Sequence, residues 1–190
     1  LSQEKISIFK REYPSINIIN CFQGKDNTKR RYWIRHGDAV YKYLQINNTN
    51  LDKHNSKIDY LELSSFDIIA FSDYRCGLIN SSFITKCTKT KSKTYASSQV
   101  SSRRSNYEKY MNVDIIVCNE KESIHVNRDH NICVTKGSNG CSFNGIDYPP
   151  NKVLEVNNTI GAGDCFFAAF LATGNPAIAN KRAAEFLLNN

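Results

Sequence analysis

The sequence predicts an α/β fold with a mainly parallel central sheet flanked by helices, plus a small β-hairpin. Three observations point that way. Short continuous apolar runs, "FDIIAFSDY", "VDIIVCNE" and "NICVTKG", each end in polar residues, as strands buried on both faces do. Helix-like segments alternate with them, the pattern of βα units. Two further helical segments, Gly161 to Thr173 and Pro176 to Leu188, close the chain.

The elements follow in order. Ile16 to Phe22 reads as a strand or strand-like run. Arg31 to Arg35 and Val40 to Ile46 flank His36-Gly37-Asp38-Ala39, and the second alternates with period two, which signals a hairpin. Asn47 to Lys57 is polar and reads as a loop. "FDIIAFSDY" is the first core strand. "NSSFITKCTKT" reads as a helix capped by Asn80 or Ser81. "KTYAS", "VDIIVCNE" and "NICVTKG" supply further strands. Gly174 suits the C-terminus of one closing helix and Pro176 the first turn of the next. No internal repeat and no dividing linker interrupts the chain. The organisation expected is therefore one domain over 1–190, with 28–48 as a hairpin lid.

Composition narrows the function classes. The chain has 190 residues, 41% of them hydrophobic, enough for a folded domain and too many for a disordered one. No apolar run reaches the length of a membrane span, so no membrane partner is expected. Seven cysteines at irregular spacings, with no C-x-x-C, argue against a disulfide framework or zinc site and for a reducing cytoplasm. The formal net charge is +7, yet the basic residues are scattered and form no nucleic-acid motif. No nucleic-acid partner is expected, and a phosphorylated small molecule suits the positive field. The four histidines have no catalytic or metal spacing.

"NNTIGAGDCFFAAF" carries the chemistry. Two glycines and an alanine leave backbone amides bare at a helix start, which is an anion site. Gly161, Ala162 and Gly163 can stabilise charge on a transferred group, and Asp164 beside them can accept the proton of an attacking hydroxyl. Three other polar features lie at strand ends, where ligands bind in α/β sheets: Ser72-Asp73-Tyr74, Asn119 to Glu122, and the T-x-G-x-x-G turn from Thr135 to Gly140. Asn119 with Glu122 is equally readable as a helix start. The Thr135 to Gly140 segment is equally readable as a hairpin turn, and Asp73-Tyr74 reads first as a strand-end turn and only second as a ligand contact.

Taken together, these motifs resemble the ribokinase-like (PfkB-type) carbohydrate kinases. "NTIGAGDCFFAAFL" resembles that family's C-terminal signature, "CNEKE" its N-x-x-E and "VTKGSNG" its T-x-G-x-x-G. "FSDYRCG" and the hairpin "KRRYWI…YKYLQIN" most resemble the heptose-7-phosphate kinase branch. The resemblance implies a ribokinase-like sandwich and ATP-dependent phosphorylation of a sugar or sugar-phosphate hydroxyl. It implies Asp164 as base, with Gly161, Ala162 and Gly163 as the anion hole. Thr135, Gly137, Gly140, Asn158 and Thr159 would line the nucleotide site. Asn119 and Glu122 would support Mg2+ through water, and Asp73 and Tyr74 would meet the substrate. It further implies a homodimer through the β lid. The family usually has Asp where this chain has Asn158, and Lys where it has Cys76. Its early Gly-rich sugar-binding strands have no counterpart, and the chain opens on Leu1. A partial chain is therefore expected. The alternative function is a non-catalytic nucleotide- or sugar-binding remnant, or a fragment of a larger carbohydrate kinase.

Overall fold

A computed structural model describes residues 7, 10–16, 28–37, 39–48, 62–75, 79–99, 105–127, 129–154, 156 and 159–189. The chain divides into two compact units, one of Leu1–Leu61 with Cys76–Leu78, the other of Glu62–Arg75 with Ile79–Asn190. The strand expected from Ile16 to Phe22 lies, apart from Ile16, outside the described residues, as does Cys76.

The first unit contains a two-stranded antiparallel sheet of β1 (Thr28–His36) and β2 (Ala39–Asn48). The hairpin is longer at both ends than the alternation alone marks. His36 pairs with Ala39, and Gly37 takes a φ of 60° in the tight connection, the left-handed backbone that such turns require. The register shifts between Tyr32 and Trp33. That bulge raises the local twist.

The second unit is built on a six-stranded sheet whose order follows the chain: β3 (Ile68–Asp73), β4 (Lys93–Ser98), β5 (Ile115–Asn119), β6 (Asn131–Thr135), β7 (Cys141–Phe143) and β8 (Ile146–Tyr148). The first four are parallel and the last two antiparallel. The fold class is thus the expected one. β7 and β8 are too short and polar to stand out in the sequence. They form where Asn144 and Gly145, both at positive φ, turn the chain.

Sequential order has a steric consequence. Parallel crossovers are right-handed, so successive ones place their connections on the same face. Here those connections include α1 (Ser81–Thr88), a 3-10 turn (Tyr107–Tyr110) and the single-turn α2 (Glu120–Ser123). Asn80 caps α1 by accepting from the Phe83 N–H at 2.7 Å. On this face Phe71 meets Phe83 edge-on at 6.2 Å and Tyr110 at 5.7 Å. The other face is covered by α3 (Ala162–Thr173) and α4 (Pro176–Leu188). Its core joins Tyr95, Ile115, Val117 and Cys133 to Phe166, Phe167, Phe170 and Ala179. Phe170 sits at the centre, in ring contact with Tyr95, Phe143 and Phe166. Alternate residues of one strand therefore serve both layers: Ile115 and Val117 face α3, while Ile116 and Cys118 are buried opposite.

β3 departs from the expected burial. Its run is continuously apolar, yet Ile68 is 43% exposed and only Phe71 and Asp73 are buried. Among the described residues it pairs with β4 alone, at the edge of the sheet.

Candidate functional site

The carboxyl ends of β3, β5 and β6 present the predicted polar residues, and the N-terminus of α3 completes the set. Gly161 is the N-cap of α3 in left-handed backbone, with φ 88°. A Cβ there would press on the Phe186 ring at 3.0 Å, so the glycine serves both the turn and the close approach of α4. The Ala162 N–H is taken by Thr159 O at 3.3 Å, and Cys165 N–H starts the helix on Gly161 O. The N–H groups of Gly163 and Asp164 have no partner among the described residues. They are the bare donors that a helix start offers an anion.

One cavity gathers most of the predicted nucleotide residues. Thr135, Gly137, Gly140, Thr159, Ala162 and Gly163 all line it. Its lining joins residues of the β6–β7 turn and the start of α3 to apolar Leu154 and Val156 and to Ala183, Ala184 and Leu187 of α4. Lys152 also lines it and brings a cation. No motif in the sequence singles out Lys152 or these apolar residues. They come from a Pro-rich connection and from one face of α4, and only the fold brings them to the turn. Asn158 lies outside the described residues.

The T-x-G-x-x-G segment is both a hairpin turn and a cavity wall. Lys136 N–H reaches Gly140 O at 2.7 Å, and Gly137 and Gly140 take φ of 57° and 83°. Gly140 is the constrained one: a Cβ would overlap the Tyr148 carbonyl oxygen and crowd Pro149 and Pro150. Thr135 Oγ1 donates to Cys118 O at 3.3 Å, tying the ends of β5 and β6 together.

Asn119 and Glu122 form a reciprocal capping box on α2. The Asn119 side chain accepts from Glu122 N–H at 2.9 Å, and a Glu122 carboxylate oxygen accepts from Asn119 N–H at 3.0 Å. The pair is thereby fixed at the end of β5. No three His, Cys, Asp or Glu side chains among the described residues stand together as a metal site.

Asp164 is exposed in the first turn of α3 and does not line the cavity. Its carboxylate accepts a 2.5 Å hydrogen bond from the Tyr74 hydroxyl, across 90 residues of sequence. Burial, reinforced by this bond and by the Asp164 charge, pushes the Tyr74 phenol up to about 12. The phenol is therefore a donor throughout the neutral range. Asp73 points elsewhere. It is 5% exposed, and its carboxylate accepts from Lys109 at 2.6 Å, from Tyr110 and Asn106 at 2.7 Å each, and from Arg75 N–H at 2.7 Å. Burial alone would raise its carboxyl; the bonds from Lys109, Tyr110 and Arg75 outweigh that and hold it below the ordinary range.

No family model matches the chain, and no curated protein matches it. Solved structures do. A Thermoplasma acidophilum protein provisionally described as a ribokinase superposes with a TM-score of 0.55 at 14% identity, over 95% of this chain and 66% of its own length. The tetrameric inhibited form of phosphofructokinase-2 from Escherichia coli gives 0.65 at 13% identity, over 98% and 73%. This chain thus spans about two thirds to three quarters of the length of these neighbours. At such identity the likeness shows the fold: the mostly parallel sheet with flanking helices is that of ribokinase-like proteins.

Proposed function

We propose that this chain carries the nucleotide side and catalytic base of an ATP-dependent kinase for a sugar or sugar-phosphate hydroxyl. The observation that carries the reading is the cavity lined by both the β6–β7 turn and the start of α3. The helix-start amides suit phosphates and the apolar lining suits a nucleobase, and Asp164 is on the same helix turn as Ala162 and Gly163. The fold shared with a phosphofructokinase-2 supports the same class of acceptor. A heptose phosphate is the acceptor suggested by the "SDY" strand end and the hairpin.

In this reading the bare N–H groups of Gly163 and Asp164 face the charge that develops on the transferred phosphoryl group, and Gly161 and Ala162 form the turn that presents them. Preorganised donors of this kind are the largest contribution in phosphoryl transfer. Asp164 accepts the proton of the acceptor hydroxyl, which then attacks in line. Thr135, Gly137, Gly140, Asn158 and Thr159 hold the nucleotide, with Lys152 near its phosphates. Magnesium would come bound to the nucleotide phosphates, where it neutralises charge. Asn119 and Glu122 would hold its water shell. Tyr74 is on the acceptor side, beside Asp164, while Asp73 stays buried beneath it and holds the turn.

The test is product formation and binding in the full-length protein. Mg-ATP should bind in calorimetry, and ADP should form with one member of a sugar-phosphate panel. Asp164→Asn should lower transfer by about 100-fold or more while leaving nucleotide affinity intact. Nucleotide binding without transfer to any acceptor would favour the second reading, a non-catalytic binding remnant. The absence of any nucleotide affinity would remove both.

A further inference from the structure

We propose that Tyr74 is a positioning residue for Asp164, aimed by a turn that Asp73 locks. The inference rests on Asp164 being the base, and it gives the two residues after β3 separate tasks.

The chain of contacts starts in the buried layer. Asp73 ends β3 with its carboxylate surrounded by Lys109, Tyr110 and Asn106. Its other oxygen takes the Arg75 N–H at 2.7 Å. Arg75 has a φ of 61°, left-handed backbone that a non-glycine residue enters only when its surroundings hold it there. The Asp73–Arg75 bond closes a tight turn around Tyr74, an Asx-type device. With the turn fixed at both ends, Tyr74 cannot follow the pleat of the strand, and its hydroxyl reaches Asp164. The buried network is complete without any ligand, since no buried side-chain nitrogen or oxygen among the described residues lacks a partner. It holds the turn in the free protein.

A carboxylate acting as base must present the correct lone pair to the acceptor hydroxyl. Tyr74 engages Oδ1 and fixes the plane of the carboxylate, leaving Oδ2 for the acceptor. As a neutral donor it orients the base without the charge compensation that a lysine would bring, which would weaken its basicity more strongly.

The experiment uses full-length protein and Tyr74→Phe, which keeps the ring and removes the donor. Expected are a roughly tenfold or greater fall in kcat, an unchanged KM for Mg-ATP and an unchanged melting temperature. A second arm needs no turnover. The tyrosinate absorbance difference between wild type and Tyr74→Phe isolates one phenol titrating near 12. In an Asp164→Asn background its midpoint should move down toward the ordinary tyrosine range, because the neighbouring negative charge is gone. An unchanged kcat for Tyr74→Phe, or a midpoint indifferent to Asp164→Asn, overturns the proposal. A wild-type protein that transfers phosphate to no acceptor would instead overturn the kinase reading and with it the positioning role, while the titration still reports whether the pair exists.

Discussion

At the scale of single residues, glycines and carboxylates do different work from what their motifs suggest in isolation. Gly140 closes the β6–β7 turn against the Tyr148 carbonyl, so its requirement is steric as well as conformational. Gly140→Ala should cost about 1–3 kcal/mol for the left-handed backbone alone, with further loss from the overlap. Thermal denaturation should show the drop, whereas Gly163→Ala, where a Cβ meets nothing within 4 Å, should melt near wild type. Asp73 gives a pH signature. Its carboxyl titrates lower in the folded chain than in the unfolded one, so its contribution is present above the unfolded value, about 3.9, and is lost as pH falls through the folded value. Melting temperature measured from neutral to acid pH should therefore fall below about pH 4. Lys109→Met removes a main support of the low value and should flatten that acid loss while lowering stability at neutral pH. The strand-end turn at Asp73-Tyr74 was legible in "SDY", but the burial of its carboxylate was not. The partners Asn106, Lys109 and Tyr110 come from a 3-10 segment with no periodicity to mark it.

At the scale of elements, the strands and long helices were legible because burial forces their patterns. "KTYAS" and "NICVTKG" became β4 and β6, and Pro176 and Gly174 stand where one helix starts and the other stops. The β7–β8 hairpin was not, since three-residue strands carry too few alternations to be read. The β1–β2 hairpin is legible, and among the described residues it leaves apolar side chains exposed: Tyr32, Trp33, Ile34, Leu44 and Ile46 are each 45–48% exposed, and Tyr43 is 73% exposed. Apolar surface of this extent on one element calls for a covering surface. A homodimer formed through the hairpin is the expected assembly. Sedimentation should show a dimer at micromolar concentration, and Tyr43→Lys with Leu44→Lys should give a monomer. A wild-type monomer at high micromolar concentration would argue against it.

At the scale of the whole molecule, the cavity draws on the β6–β7 turn, the connection after β8 and both closing helices. A ligand bound there links parts of the chain far apart in sequence. Mg-ATP should consequently raise the melting temperature, with a stabilisation near 2.7 kcal/mol when the free ligand is 100 times its Kd. Sugars and sugar phosphates alone should raise it less. Thr135 and Gly163 could each be picked out from the sequence, and strand-end placement already implied that their segments converge; the lining that α4 and Lys152 add to the same cavity could not be read, because it depends on how the closing helices return across the sheet. The sequential strand order bears on how the protein is made. Synthesis runs from the N-terminus, so all six strands exist before α3 and α4. Until those helices emerge, the face bearing Tyr95, Ile115, Val117 and Cys133 lacks the Phe166, Phe167, Phe170 and Ala179 side chains that bury it in the folded chain. The same late segment supplies the bare amides at the start of α3, so under the proposed reading phosphate binding waits on the burial of that face, and nucleotide capture would report a completed fold.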